Sequence, residues 1–390
     1  MEKILELLFK LLSNPLSDFF RLIGFSDHTG KVPTVIVVVL IIWSAANLLK
    51  VLQKGIKYNR TARELLYFRY NYRDFKHKYN LFIPTQGQNL SPIYEEEPEL
   101  RTKYIVKRPL IPYFLKTAFN EKKESDKFYL ILADSGMGKT TFMINLYLQY
   151  HSFFNFRRKY KMKLFPFGDN DIIRWIKEIK PEEARDTILL LDAFDEYKAL
   201  LPPEIPDGLS DDERFRKRLD EVVENVKDFR EVVITSRTQY FPGQEDMPYE
   251  LKILRYDREG FHALAKLYIS PFDKKEIKRY LNKKYGVFKL WNRNKKQIAA
   301  SLVQKSPKLM MRPMLHSYID YLVDEKKVFR NTYEIYQTLI NKWLEREANK
   351  RKYKSEEREK YKRDLYALSR LAALEIYQKK NKTASFPKKK

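Results

Sequence analysis

The stretch Tyr129–Tyr150, YLILADSGMGKTTFMINLYLQY, constrains the fold more than any other part of the chain. An apolar run with strand character, Phe128–Leu132, enters the short loop Ala133–Gly138, which opens into a helix near Lys139. Strand, glycine-bearing loop and helix in that order form a phosphate-binding turn. Gly136 and Gly138 let backbone N–H groups curl round an anion, and the helix N-terminus adds the positive end of its dipole. Lys139 is placed to reach the β- and γ-phosphates, and Thr140 to offer its hydroxyl to Mg²⁺. Asp134, Ser135, Gly136, Met137, Gly138 and Thr141 complete the candidates around the phosphates. One departure stands out: the first position of the usual G-x-x-x-x-G-K-[ST] pattern is Ala133, small but without glycine's free choice of φ.

A second stretch, TILLLDAFDEY (Thr187–Tyr197), reads as a buried strand ending in Asp192, followed by Asp195 and Glu196. A carboxylate at the strand tip suits Mg²⁺, so Thr140 and Asp192 are the candidate metal ligands. Asp195 and Glu196 are placed to orient or deprotonate an attacking water. A third strand, Glu231–Thr235, delivers Ser236 and Arg237 at its carboxyl end, with Arg237 a candidate for sensing or stabilising phosphate charge. Open α/β sheets bind ligands beyond the carboxyl ends of their strands, so the three stretches converge on one crevice.

The formal charge of +25 over 390 residues points to an acidic partner: nucleic acid, an anionic membrane surface or phosphate ligands. Without cysteine there is no disulfide framework, thiolate metal site or thiol nucleophile. His28, His77, His151, His262 and His316 are scattered without metal-ligand spacing and read as structural or surface residues.

Residues 1–31 read as amphipathic helices broken at Asn14-Pro15. From Val32 to Leu49 the chain carries no charge, which is the length needed to cross a membrane, so 32–52 is predicted to be a single transmembrane helix. Lys50, Lys54, Lys57, Arg60, Arg63, Arg69 and Arg73 crowd its C-terminal side. The positive-inside rule therefore sets the N-terminus outside the inner membrane and everything after Lys50 in the cytoplasm. The aromatic-laced basic stretch after it suits anionic lipid, with nucleic acid the less favoured partner. Together with Pro84–Gln88 and the acidic run Glu95–Glu97, which read as a linker, it makes up 53–100.

The phosphate loop ADSGMGKT, the strand LLLDAFDE with its small residue after the first aspartate and its Asp-Glu pair, and VVITSRTQYF together resemble the NACHT group of STAND-class P-loop NTPases. The likeness continues through PFDKKEIKRYL, KLMMRPMLHSY and YEIYQTLINKWLERE. It implies an α/β fold in which a P-loop NTPase parallel sheet, flanked by helices (101–270), is followed by an all-α helical domain (271–347). Residues 348–390 then start a winged-helix-like domain or form a basic tail. The resemblance also implies an ATP/ADP switch with Mg²⁺, slow hydrolysis, homo-oligomer formation on activation by a trigger protein or ligand, and an adenine pocket lined by Pro313. A helix-start proline explains Pro313 equally well. The expectation is a membrane-anchored signalling ATPase, with a role in bacterial defence against phage. A membrane-tethered motor acting on nucleic acid and a non-hydrolysing nucleotide scaffold remain as alternatives.

Overall fold

In the computed structural model the described residues are 59–66, 69–70, 80–92, 106–120, 127–152, 158–197, 211–238, 250–254, 261–286, 292–325, 329–349 and 354–384, with the single positions 44, 56 and 155. The predicted amphipathic segment 1–31 and, apart from Ser44, the predicted span 32–52 lie outside them. Among the described residues no helix is long and apolar enough to cross a membrane.

The strand β3 (Phe128–Ala133) is buried at every position, as is β5 (Thr187–Asp192). Parallel strands covered on both faces need apolar residues on both, which is why these runs show no alternation. The remaining strands are β1 (Gln86–Gln88), β2 (Lys107–Pro109), β4 (Lys161–Pro166), β6 (Glu231–Arg237), β7 (Glu250–Leu254) and β8 (Phe261–Ile269), and the sheet order is β2-β1-β8-β3-β6-β5-β4, with β7 on β8. Strands β8, β3, β6, β5 and β4 run parallel, while β1, β2 and β7 are antiparallel to their neighbours.

Two apolar layers cover the sheet. One packs Leu130, Leu189 and Ile234 under Val222, Val226 and Phe229; the other packs Tyr129, Ile131 and Leu190 under Phe114, Phe142, Met143 and Leu146. The helices of this part are α1 (Leu110–Tyr113, continued by a π turn, Phe114–Ala118), α2 (Lys139–Tyr150), α3 (Ile172–Lys177), α4 (Pro181–Ala184) and α5 (Asp211–Val226). A third core belongs to α6 (Lys274–Tyr285), α7 (Arg293–Lys305), α8 (Pro307–Met310), α9 (Pro313–Ser317), α10 (Ile319–Asp324) and α11 (Thr332–Asn349). A capping box fixes the start of α6: the Glu276 amide donates to Asp273 Oδ1 at 2.7 Å, and the Asp273 amide donates to Glu276 Oε2 at 2.9 Å.

One segment differs from the sequence reading. Gln86–Gln88, assigned to a linker, is a sheet strand that hydrogen-bonds to both β2 and β8, and Ile83 just before it is buried in the helical core. Three polar or glycine residues carry no apolar period, so only their neighbours reveal them as a strand. At the C-terminal end, α12 (Ser355–Ala384) is one 30-residue helix, and Leu368, Leu371, Ile376 and Tyr377 are exposed on it.

Candidate nucleotide site

Between β3 and α2 the chain makes the loop that the glycines require. Gly136 and Gly138 have φ of 78° and 92°, a left-handed region that other residues enter at a cost, and nothing lies within 4 Å of a Cβ built on Gly138. That open space faces the amino end of the twelve-residue α2, where backbone N–H groups have no helical acceptor. Lys139 Nζ turns back onto the loop, 2.8 Å from Ala133 O and 3.4 Å from Asp134 O, so these carbonyls stand where phosphate oxygens compete for the ammonium. Burial lowers the Lys139 pKa, with Asp195 the strongest opposing influence.

Ala133 is the last residue of β3, fully buried and in register with Arg237 of β6. It does not have a positive φ, so the glycine of the usual pattern is not needed at this position. Asp134 is exposed beside the cavity without lining it, and Met137 buries its side chain in the core below the loop. Ser135, Gly136, Met137, Gly138, Lys139, Thr140 and Thr141 all border the cavity.

Behind the loop lies a buried chain of polar groups. Thr235 Oγ1 donates to Asp192 Oδ1 at 2.7 Å, and the Thr140 hydroxyl is among the groups that favour the charged Asp192 carboxylate. The amide of Ala193 donates to Thr235 Oγ1 at 2.9 Å. Burial pushes the Asp192 carboxyl up to about 6, against these hydrogen bonds, which pull it down. Ala193 adopts φ 61° and ψ 61°, the single left-handed non-glycine among the described residues. A small residue tolerates that turn best, and it swings the next two carboxylates toward the sheet edge.

Those carboxylates part company. The Asp195 side chain is 2% exposed and is held by Arg237, whose Nε lies 2.8 Å from Oδ2 and whose amide donates to Oδ1 at 3.0 Å. The Glu196 side chain is 54% exposed, with Arg237 Nη2 at 3.7 Å from Oε1. Arg237 is thus committed to the acidic pair, and Glu196 is the carboxylate open to the cavity.

The cavity encloses about 710 Å³ between the carboxyl edge of the sheet and the helical part, within the range of small-molecule sites. Its apolar wall comes from Phe82, Ile83, Phe272, Pro313 and Met314. Pro313 is both the first residue of α9 and a cavity residue. The Met314 amide donates to Gly136 O at 3.0 Å, tying the helical part to the phosphate loop. Sequence reasoning missed Thr235, whose one signal is a polar residue inside VVITS, and also Phe82, Met314 and Arg346. Arg346 borders the cavity from α11, and its Nη1 donates to Tyr318 Oη at 2.5 Å. His151 and His316 are buried, and burial lowers each to about 4.

The residues present fit a nucleotide with Mg²⁺: an open glycine cradle, a lysine hydrogen-bonded to two loop carbonyls, and the buried Asp192 carboxyl beside the Thr140 end of the loop. Among the described residues no cluster of three His, Cys, Asp or Glu could hold a metal by itself. A cation here would therefore rest on Thr140 and Asp192 together with phosphate oxygens and water, the pattern Mg²⁺ prefers. A phosphate loop between a central parallel strand and its helix, with an acid at the tip of a nearby strand, is the P-loop NTPase arrangement.

No protein-family model matches the sequence, and no curated protein matches it significantly. Among solved structures, the chain is similar to the Thermotoga maritima RuvB Holliday junction branch migration motor, at 14% identity over 59% of this chain and 67% of that one, with a TM-score of 0.29. It is also similar to a chain of the E. coli MS115-1 HORMA:CdnC:Trip13 complex, at 11% identity over 56% and 76% of the two chains, with a TM-score of 0.30. At these scores neither likeness bears on substrate or mechanism, and the geometry of the site carries the conclusion.

Proposed function

We propose that the chain is a membrane-anchored, NACHT-type nucleotide switch that binds ATP or ADP with Mg²⁺ and hydrolyses ATP slowly. The observation that carries this reading is the buried Asp192 carboxyl, hydrogen-bonded by Thr235 of β6 and electrostatically coupled to Lys139 of the phosphate loop. Loop, metal-binding pair and the strand bearing Arg237 thereby respond as one unit to what occupies the cradle.

In this mechanism the loop amides and Lys139 hold the β- and γ-phosphates, and the helix dipole of α2 adds to their field. Thr140 and Asp192 would hold Mg²⁺, which would supply neutralisation of the charge that develops on the phosphate oxygens. Glu196 orients the attacking water and takes its proton as the water oxygen bonds to the γ-phosphorus and the β–γ bridging bond breaks. Asp195, clamped by Arg237, positions Glu196 and stays out of the proton transfer. The apolar wall at Pro313 and Phe272 takes the base. The Met314–Gly136 contact supports a switch over a constitutive enzyme, because a ligand between loop and helical part biases how the two sit together.

The apolar segment 32–52 and the basic flank after it support the membrane anchor, and the Asp-Ala-x-Asp-Glu ending supports NACHT signalling, with oligomer formation on activation and a role in defence against phage. The charge of +25 favours one second reading, a tethered motor on nucleic acid. ATP turnover with and without duplex DNA across a salt series separates the two: the switch is expected to turn over slowly and ignore DNA. Turnover that DNA stimulates and that falls steeply with salt would mark the motor, and bound ADP with no turnover would mark a scaffold.

A further inference from the structure

Among the described residues strand β4 ends the sheet, so its outer backbone has no strand partner there, and exposed edge groups of this kind need cover. Arg69 provides it. Its Nη1 donates to Leu164 O at 3.1 Å, and its guanidinium lies 4.3 Å from the Phe165 ring centroid and 4.5 Å from that of Trp175. A flat, delocalised cation stacked on two rings while donating along its edge is a geometry that a lysine cannot reproduce. Just before it, residues 59–66 are helical and press Ala62 and Leu66 into the core layer above α2. This is the stretch of chain that joins residues 1–52 to the sheet.

The other end of β4 leads to the catalytic carboxylates. Two residues past Phe165, the Phe167 amide donates to Asp192 O at 2.8 Å. The Phe167 ring meets Phe194 edge-on and Tyr197 at a tilt, each with centroids 5.3 Å apart. Gly168 lies against Glu196, so that a Cβ added there would sit 3.3 Å from Oε2. Five consecutive residues, Leu164–Gly168, thus touch both the Arg69 guanidinium and the loop that carries Glu196.

We propose that Arg69 is a clamp through which the nucleotide site controls the segment before the sheet: docked at rest, released when ATP draws Glu196 away from Gly168 and shifts Phe167 and Phe165. The proposal rests on the nucleotide reading above. Because linkage is reciprocal, a clamp that ATP opens is a clamp that opposes ATP.

The chain contains no cysteine, so Arg63→Cys on the 59–66 helix and Lys177→Cys on α3 give one spin-label pair in the full-length protein. Its separation is measured by double electron–electron resonance, alongside fluorescent-ATP affinity with Mg²⁺. The expected result is a single short distance without nucleotide and a longer, broader distribution with ATP. Arg69→Ala and Arg69→Lys should show the long distribution without nucleotide and bind ATP at least about fivefold more tightly. Thermal melting of both variants identifies any that fail to fold, and either one alone suffices. ATP bound with the pair unmoved, or folded Arg69 variants with unchanged affinity, overturns the clamp. A parent chain that binds no ATP overturns the nucleotide reading and the clamp together.

Discussion

Arg237 and Asp195 are tied at two points, the amide of the arginine donating to Oδ1 at 3.0 Å and its Nε lying 2.8 Å from Oδ2. The pair joins the end of β6 to the loop after β5 and leaves the adjacent Glu196 the more exposed of the two acids. Glu196→Gln is expected to leave nucleotide affinity intact and lower turnover by roughly a hundredfold or more, the usual worth of a positioned general base. Arg237→Ala strands a buried carboxylate and is expected to lower stability by about 1–3 kcal/mol in addition to slowing turnover. Single-turnover kinetics and thermal melts of the two variants separate a chemical from a positioning role.

The Asp192 carboxyl is held at about 6, above its ordinary 3.8, by burial. Between those values the folded chain keeps a proton that the unfolded chain has lost. The shift therefore favours the fold at low pH, and that benefit is gone once pH passes 6. Mg²⁺ needs the same carboxylate deprotonated. The Mg²⁺-dependent part of ATP affinity is thus expected to fall as pH drops through about 6, while affinity in excess chelator changes little. Asp192→Asn should remove the Mg²⁺-dependent part at every pH, as titration on either side of that value would show.

Glu231 opens β6 with its side chain buried, its Oε1 3.8 Å from Arg230 Nε, and burial pushes its pKa up to about 8 from 4.5. With a raised acid pKa, the contribution to stability is full at and below the ordinary 4.5 and falls as pH rises through 4.5 to about 8, where the folded state also ionises. Glu231→Gln keeps the shape and removes the charge. It is expected to raise the melting temperature at pH 8 and above, and to flatten the decline between about pH 4.5 and 8. Scanning calorimetry across pH checks this.

In the phosphate loop, Gly136 and Ala133 should answer oppositely to exchange. A Cβ on Gly136 would lie 3.0 Å from Met314 Cβ, at a φ of 78° that already disfavours a side chain. Gly136→Ala is expected to cost about 1–2 kcal/mol from the left-handed backbone alone. It should also loosen the helical part, and Met314→Ala should relieve only the contact share of that cost. Ala133→Gly, by contrast, is expected to leave nucleotide binding unchanged, since Ala133 is ordinary strand. Chemical denaturation and nucleotide titration of the three variants test both statements.

The site was legible in the sequence where chemistry and local structure coincide. Gly136, Gly138, Lys139 and Thr140 sit on one turn, and Asp192, Asp195 and Glu196 follow one apolar strand, so spacing alone groups them. Parts assembled from distant segments were not legible. The strand Gln86–Gln88 is polar and three residues long, and it becomes a strand only because β8 and β2 supply partners. Thr235 looks like any β-branched strand residue until Asp192 is seen 2.7 Å away. Arg69 is one cation among many in a basic stretch, and its seat between Phe165 and Trp175 depends on β4 ending the sheet.

Equilibrium binding of ATP to the full-length protein and to its Lys139→Ala variant, with Mg²⁺ present, tests the nucleotide site most directly. Lys139 Nζ now bonds to Ala133 O and Asp134 O and has to exchange them for phosphate oxygens. The expected result is measurable affinity in the parent and a loss of roughly tenfold or more in the variant, the worth of a charge-assisted contact to phosphate. Equal affinity in the two proteins, with the variant folded, would contradict the assignment of this loop as the nucleotide site.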